Sequence, residues 1–85
     1  MGQYGQVVTV RYFAAARAAA GVAEESSSAA TLGSLVLELV DSHGSQLEKV
    51  LGVASFLVDG VSWRDREATL PAGATVDVLP PFAGG

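Results

Sequence analysis

The chain has 85 residues, room for one domain, and 49% of them are apolar against 16% charged, a balance that places it with globular proteins and excludes a disordered polymer. Its formal charge of −4, with Arg11, Arg17, Lys49, Arg64 and Arg66 scattered along it, argues against the basic stripe that a nucleic-acid backbone requires. The lack of cysteine excludes disulfides, a thiolate nucleophile and any cysteine-based metal site, and one histidine, His43, is too few for zinc on histidines alone.

Taken in chain order, Val7 to Phe13 (VVTVRYF) is β-branched and aromatic and reads as a strand, with Val8, Val10 and Tyr12 inward and Thr9, Arg11 and Phe13 on the other face. Ala14 to Gly21 (AAARAAAG) switches to helix formers and closes on glycine, so a short helix is expected. The following VAEESSSA reads as a short strand, the antiparallel partner of the first. Thr31 to His43 is the main helix: Thr31 is the N-cap, Leu32, Leu35, Val36, Leu39 and Val40 recur at helical spacing, and Gly44 stands at the stop position. QLEKVLG adds a further helical turn, and ASFLVDG is a strand ending in an Asp-Gly turn. VSWRDREATL is polar and irregular, with room for one short edge strand. Leu70 to Gly73 is a turn, and ATVDVLP is a final strand that halts at Pro80.

This order predicts an α+β domain, a mixed sheet of four to five strands with one main helix packed on one face. The first and last strands are the apolar ones and are expected side by side and parallel at the sheet centre. The expected core is Val8, Val10, Tyr12, Leu35, Leu39, Phe56, Val58, Val76 and Val78. No apolar run approaches the roughly 20 residues of a membrane span, and MGQYGQ has the features of neither a signal peptide nor a myristoylation site, so a cytoplasmic protein without a membrane partner is expected.

The body of the chain offers little chemistry. Asp41, Glu48, Asp59, Asp65, Glu67 and Asp77 show no spacing that builds an acid/base dyad and read as a solvated acidic surface. His43 reads as a cation at the carbonyl end of a helix. GQYGQ precedes the first strand and lacks the Gly-Lys-Ser/Thr of a phosphate loop. No cofactor or metal site is expected on this chain.

The tail LPPFAGG is different. Pro80 and Pro81 restrict φ, end the strand and direct the chain outward. Phe82 follows the last element, where core burial is not expected. Gly84 and Gly85 have no Cβ, so this end is slender enough to thread a narrow channel and leaves the Gly85 carboxylate accessible.

A β-grasp, ubiquitin-like order of elements ending in Gly-Gly resembles the prokaryotic sulfur carriers. Within them VRYFAAARAAAG, with Phe13-Ala14, Arg17 and Gly21, is similar to the opening of the molybdopterin synthase small subunit (MoaD), and LPPFAGG resembles that family's ending. The middle, VSWRDREATL, matches only loosely. The resemblance implies a single β-grasp domain over 1–85 with a flexible tail from 80 to 85. It implies a non-catalytic carrier: an activating enzyme uses ATP to adenylate Gly85, a sulfur donor enzyme converts it to a thiocarboxylate, and the sulfur passes to cyclic pyranopterin monophosphate in molybdenum cofactor biosynthesis. Gly85 and Gly84 would be the reacting end. Phe13, Leu79, Pro80, Pro81, Phe82 and Ala83 would bind a large subunit that supplies the catalytic groups, in a heterotetramer. Carriers serving thiamine or cysteine synthesis, ubiquitin-like protein modifiers, and a plain binding module remain the alternatives.

Overall fold

The structure, a computed structural model, describes residues 7–81. Its elements are β1 (Val8–Tyr12), α1 (Ala14–Ala20), β2 (Glu24–Ser27), α2 (Leu32–His43), α3 (Ser45–Leu51), β3 (Ser55–Val58), β4 (Val61–Ser62) and β5 (Thr75–Leu79). They form one five-stranded sheet in the order β2-β1-β5-β3-β4. β5 lies at the centre, parallel to β1 and antiparallel to β3, while β2 and β4 form the edges. The expected parallel pairing of first and last strands is present, and so is the short edge strand.

Strand alternation follows the apolar pattern. Val8, Val10 and Tyr12 of β1, Val76 and Val78 of β5, and Phe56 and Val58 of β3 are all buried and face the helices. Each such side chain contributes about 1.5–3 kcal/mol by leaving water. Leu32, Leu35 and Leu39 of α2 cover them. Every residue of the expected core is buried.

α2 starts where a capping box can form. The Thr31 side chain accepts the Ser34 N–H at 3.1 Å, and Ser34 Oγ accepts the Thr31 N–H at 3.2 Å, satisfying two donors at the helix start. The chain turns at Gly44, at φ 92, a region that glycine enters without steric cost. α3 then packs on both α1 and α2, burying Leu47 and Leu51, so the helical layer holds two short helices beside the main one. Between β3 and β4, Asp59 and Gly60 both have positive φ, the type I′ pattern that suits the twist of a two-residue hairpin. The segment after β4 is tied to the start of α2: the Gly33 N–H donates to the Arg66 carbonyl at 2.9 Å, and the Leu70 N–H to the Ala30 carbonyl at 2.7 Å. Among the described residues, no helix is long and apolar enough to cross a membrane.

Candidate functional site

Because β1 and β5 are parallel, they end together. Tyr12 is in register with Val78, and the Phe13 N–H donates to the Val78 carbonyl at 3.3 Å. The chain therefore leaves the sheet at Leu79, Pro80 and Pro81 beside Phe13. Phe13 is extended (φ −124), and Ala14 at φ 51 turns the backbone sharply into α1. This places Phe13 on the sheet face opposite the helices, with the residue 37% exposed.

That outer face has a charged centre with apolar flanks. Arg11 lies directly across from Asp77, donating from Nε to Oδ1 at 2.7 Å and from Nη2 to Oδ2 at 3.0 Å. The guanidinium also lies over the Phe13 ring, 5.6 Å from its centroid. Hydrogen bonding and charge attraction from Asp77 raise the Arg11 pKa above its already high ordinary value, so this cation is permanent. Leu79 and Leu57, both half-buried, share the parity of Asp77 and its β3 partner. The result is a small apolar rim around a bidentate ion pair, at the end of the sheet from which the C-terminal residues depart.

Of the residues expected to bind a partner, the structure brings together Phe13, Leu79, Pro80 and Pro81. Pro80 is buried and roots the chain in the domain, whereas Pro81, in a turn, is exposed. Phe82, Ala83, Gly84 and Gly85 lie outside the described residues.

Two further arrangements escaped the sequence reading. Asp77, taken for a solvated carboxylate, is only 9% exposed and needs Arg11. A signal was available: an acidic residue interrupting TVDVL, on the same parity as Arg11 in VTVRY. The second is a cluster across the layer boundary. The Tyr12 hydroxyl donates to Glu25 Oε2, and His43 Nε2 lies 2.6 Å from the same oxygen. The two rings meet edge to face at 6.1 Å. His43 thus clamps the end of α2 to β2 instead of merely facing helix carbonyls. Burial, then the hydrogen bond to Glu25, pushes the Tyr12 pKa well above the usual phenol range. With Tyr12 buried and Glu25 already accepting two partners, the cluster serves packing. Among the described residues no group of three His, Asp or Glu side chains is placed to hold a metal ion.

Comparison with known proteins agrees with this fold. The model of the ThiS family matches residues 10–85. Among solved structures, a protein assigned as molybdopterin converting factor, subunit 1, from Pyrococcus furiosus superposes with a TM-score of 0.74 at 28% identity, covering 89% of this chain and 98% of that one. The small archaeal modifier protein 1 from Methanosarcina acetivorans gives 0.79 at 26% identity, over 93% and 96% of the two chains. A chain from the complex of subunits 1 and 2 of the molybdopterin-converting factor of Helicobacter pylori gives 0.72 at 24%, over 93% and 99%, a likeness of fold. No curated protein matches in sequence. The neighbours share the β-grasp fold expected from the order of elements.

Proposed function

The chain belongs to the ThiS family, and from that premise we propose that it is the sulfur carrier of a molybdopterin synthase, with Gly85 as the sulfur-bearing residue. The observation that carries this reading is the placement of Leu79, Pro80 and Pro81, which FAGG continues in sequence, at the end of central strand β5 beside exposed Phe13, with no catalytic constellation among the described residues.

A bare carboxylate is a poor electrophile, since no good leaving group is attached. In the proposed cycle an activating enzyme joins the Gly85 carboxylate to the α-phosphate of ATP, expelling pyrophosphate. Sulfur from a donor enzyme then displaces AMP, leaving a thiocarboxylate. The fold's contribution is presentation. β5 is hydrogen-bonded on both sides and Pro80 is buried, so the base of the tail is held rigidly. Four residues beyond Pro81 span at most about 13 Å, enough to carry the terminus off the domain and into a partner's channel. The rim of Phe13, Leu79 and Leu57 around Arg11–Asp77 would receive a catalytic large subunit, where the sulfur passes to cyclic pyranopterin monophosphate. The Helicobacter pylori neighbour, solved as a complex of subunits 1 and 2, supports a partner of that kind.

A second reading is favoured by the similarity to the archaeal modifier protein: the activated Gly85 would be joined to a lysine amine of a target protein. Both readings share adenylation and differ in the acceptor. The test is intact mass after reaction with ATP, an activating enzyme and a sulfur source. Exchanging one carboxylate oxygen for sulfur forms a covalent intermediate that adds about 16 Da, and the increment should map to the C-terminal peptide. Release of that increment to the pterin in the presence of the large subunit supports the carrier; isopeptide-linked conjugates support the modifier.

A further inference from the structure

A concave surface lies on the β3–β4 side of the sheet, next to the Leu79 end of the β1–β5 rim. A cleft of about 290 Å³ opens between the start of α2, β3 and the segment after β4, lined by Leu32, Phe56, Ser62, Trp63, Arg64 and Arg66. In sequence the segment Trp63-Arg64-Asp65-Arg66-Glu67 alternates in charge and reads as neutral. The fold separates those charges. Asp65 Oδ1 accepts the N–H groups of Glu67 at 2.9 Å and Ala68 at 3.2 Å, so its carboxylate is turned onto its own backbone. Neither Asp65 nor Glu67 lines the cleft, whereas both arginines do.

Among the described residues, neither arginine has a carboxylate partner. All nine side-chain carboxylates lie in the described residues, and none forms an ion pair with Arg64 or Arg66. Arg66 instead lies over the Phe56 ring, 5.9 Å from its centroid. Its backbone is fixed by the bond from the Gly33 N–H, so the guanidinium is presented from a rigid base. Among the described residues, an otherwise acidic protein thus gathers two arginines in a cleft with an aromatic wall.

We propose that this cleft docks an acidic segment of a partner protein, whose carboxylates pair with Arg64 and Arg66 while its apolar groups meet Trp63. Guanidinium forks match carboxylates bidentately, and the aromatic wall rewards side-chain contact. A nucleic-acid backbone fits less well, because two guanidinium groups neutralise few of its closely spaced phosphates. Ser55 on the cleft rim is the register partner of Leu79, so one partner could engage this cleft and the tail-end face together. The proposal stands independently of the sulfur chemistry.

The experiment is an amide and indole NMR titration of the full chain with hexaglutamate peptide, beside parallel titrations with duplex DNA and inorganic phosphate. Trp63 Nε1, a buried donor without a partner among the described residues, is a built-in reporter. Hexaglutamate should shift the Trp63 indole and the Arg64 and Arg66 amides saturably, and the shifts should vanish at about 1 M salt, where the screening length is about 3 Å. The Arg64→Gln/Arg66→Gln variant should bind about tenfold more weakly, as expected for two exposed charge pairs, with its other signals unmoved. Arg64→Gln alone should show a partial loss, which keeps the test valid if the double variant misfolds. The proposal is overturned if phosphate or DNA moves these signals as much as hexaglutamate does, if hexaglutamate moves none of them, or if Arg64→Gln binds like the unaltered chain.

Discussion

Arg11 and Asp77 stand opposite each other across the parallel β1–β5 ladder, 66 residues apart in sequence, joined by two hydrogen bonds of 2.7 and 3.0 Å. The Asp77 carboxylate sits on the central strand with its side chain only 12% exposed, while Arg11 is 48% exposed. A carboxylate so placed is tolerable because the guanidinium satisfies both oxygens. Arg11→Ala is expected to lower stability, because it leaves the largely buried Asp77 carboxylate without its partner. Arg11→Ala/Asp77→Ala should recover part of that loss, since the abandoned charge is removed as well. Chemical denaturation of the three chains measures both effects, and equal midpoints for Arg11→Ala and the parent would contradict them.

Tyr12 sets an alkaline limit. Burial and the bond to Glu25 raise its pKa above the ordinary 10.0. Above pH 10 the unfolded chain releases this proton while the folded chain keeps it, so the unfolded state binds fewer protons and stability falls as pH rises. The stabilisation is complete below pH 10, and its loss can reach about 1.4 kcal/mol per pH unit above that. Tyr12→Phe should show a shallower decline of stability over the same alkaline range. Identical slopes for the two chains, measured by urea unfolding at several pH values, would exclude Tyr12 as the cause.

Phe13 is expected to act at the interface more than in the core. Phe13→Ala should weaken association with a large subunit by about 1–3 kcal/mol, the range of an apolar anchor. It should change the melting temperature little, because the residue is 37% exposed and lies outside the core cluster. Calorimetric titration beside a thermal melt separates the two; a lower melting temperature with normal binding would assign Phe13 to the core.

For Gly85 the prediction is all-or-none. Deleting it, or adding one residue after it, should abolish thiocarboxylate formation and leave the thermal melt unchanged, since the described core ends before residue 82. Gly84→Ala or Gly85→Ala should be milder, each adding a Cβ and restricting φ where a slender chain is needed. A sulfur adduct on a chain lacking Gly85, seen by intact mass, would defeat the proposed chemistry.

Local pattern alone determined which elements form and which way their faces point. The alternation Val8, Val10, Tyr12 specified the buried side of β1, the spacing of Leu32, Leu35 and Leu39 with Thr31 before them specified α2, and Asp59-Gly60 specified the hairpin. These signals are readable because backbone dihedrals and side-chain periodicity are properties of neighbouring residues. The terminal LPPFAGG was equally visible, as composition. Tertiary structure alone decided which distant residues meet. The register of β1 against β5 joined Arg11 to Asp77, the packing of α2 on the sheet brought His43 to Glu25, and the sheet's end buried Pro80 while leaving Pro81 exposed. The turn after β4 separated Arg64 and Arg66 from the acids between and beside them. None of these pairings has a local signature. Register and packing are settled by burial of the whole apolar face at once, and a one-residue slip of either strand would reverse every side chain on it.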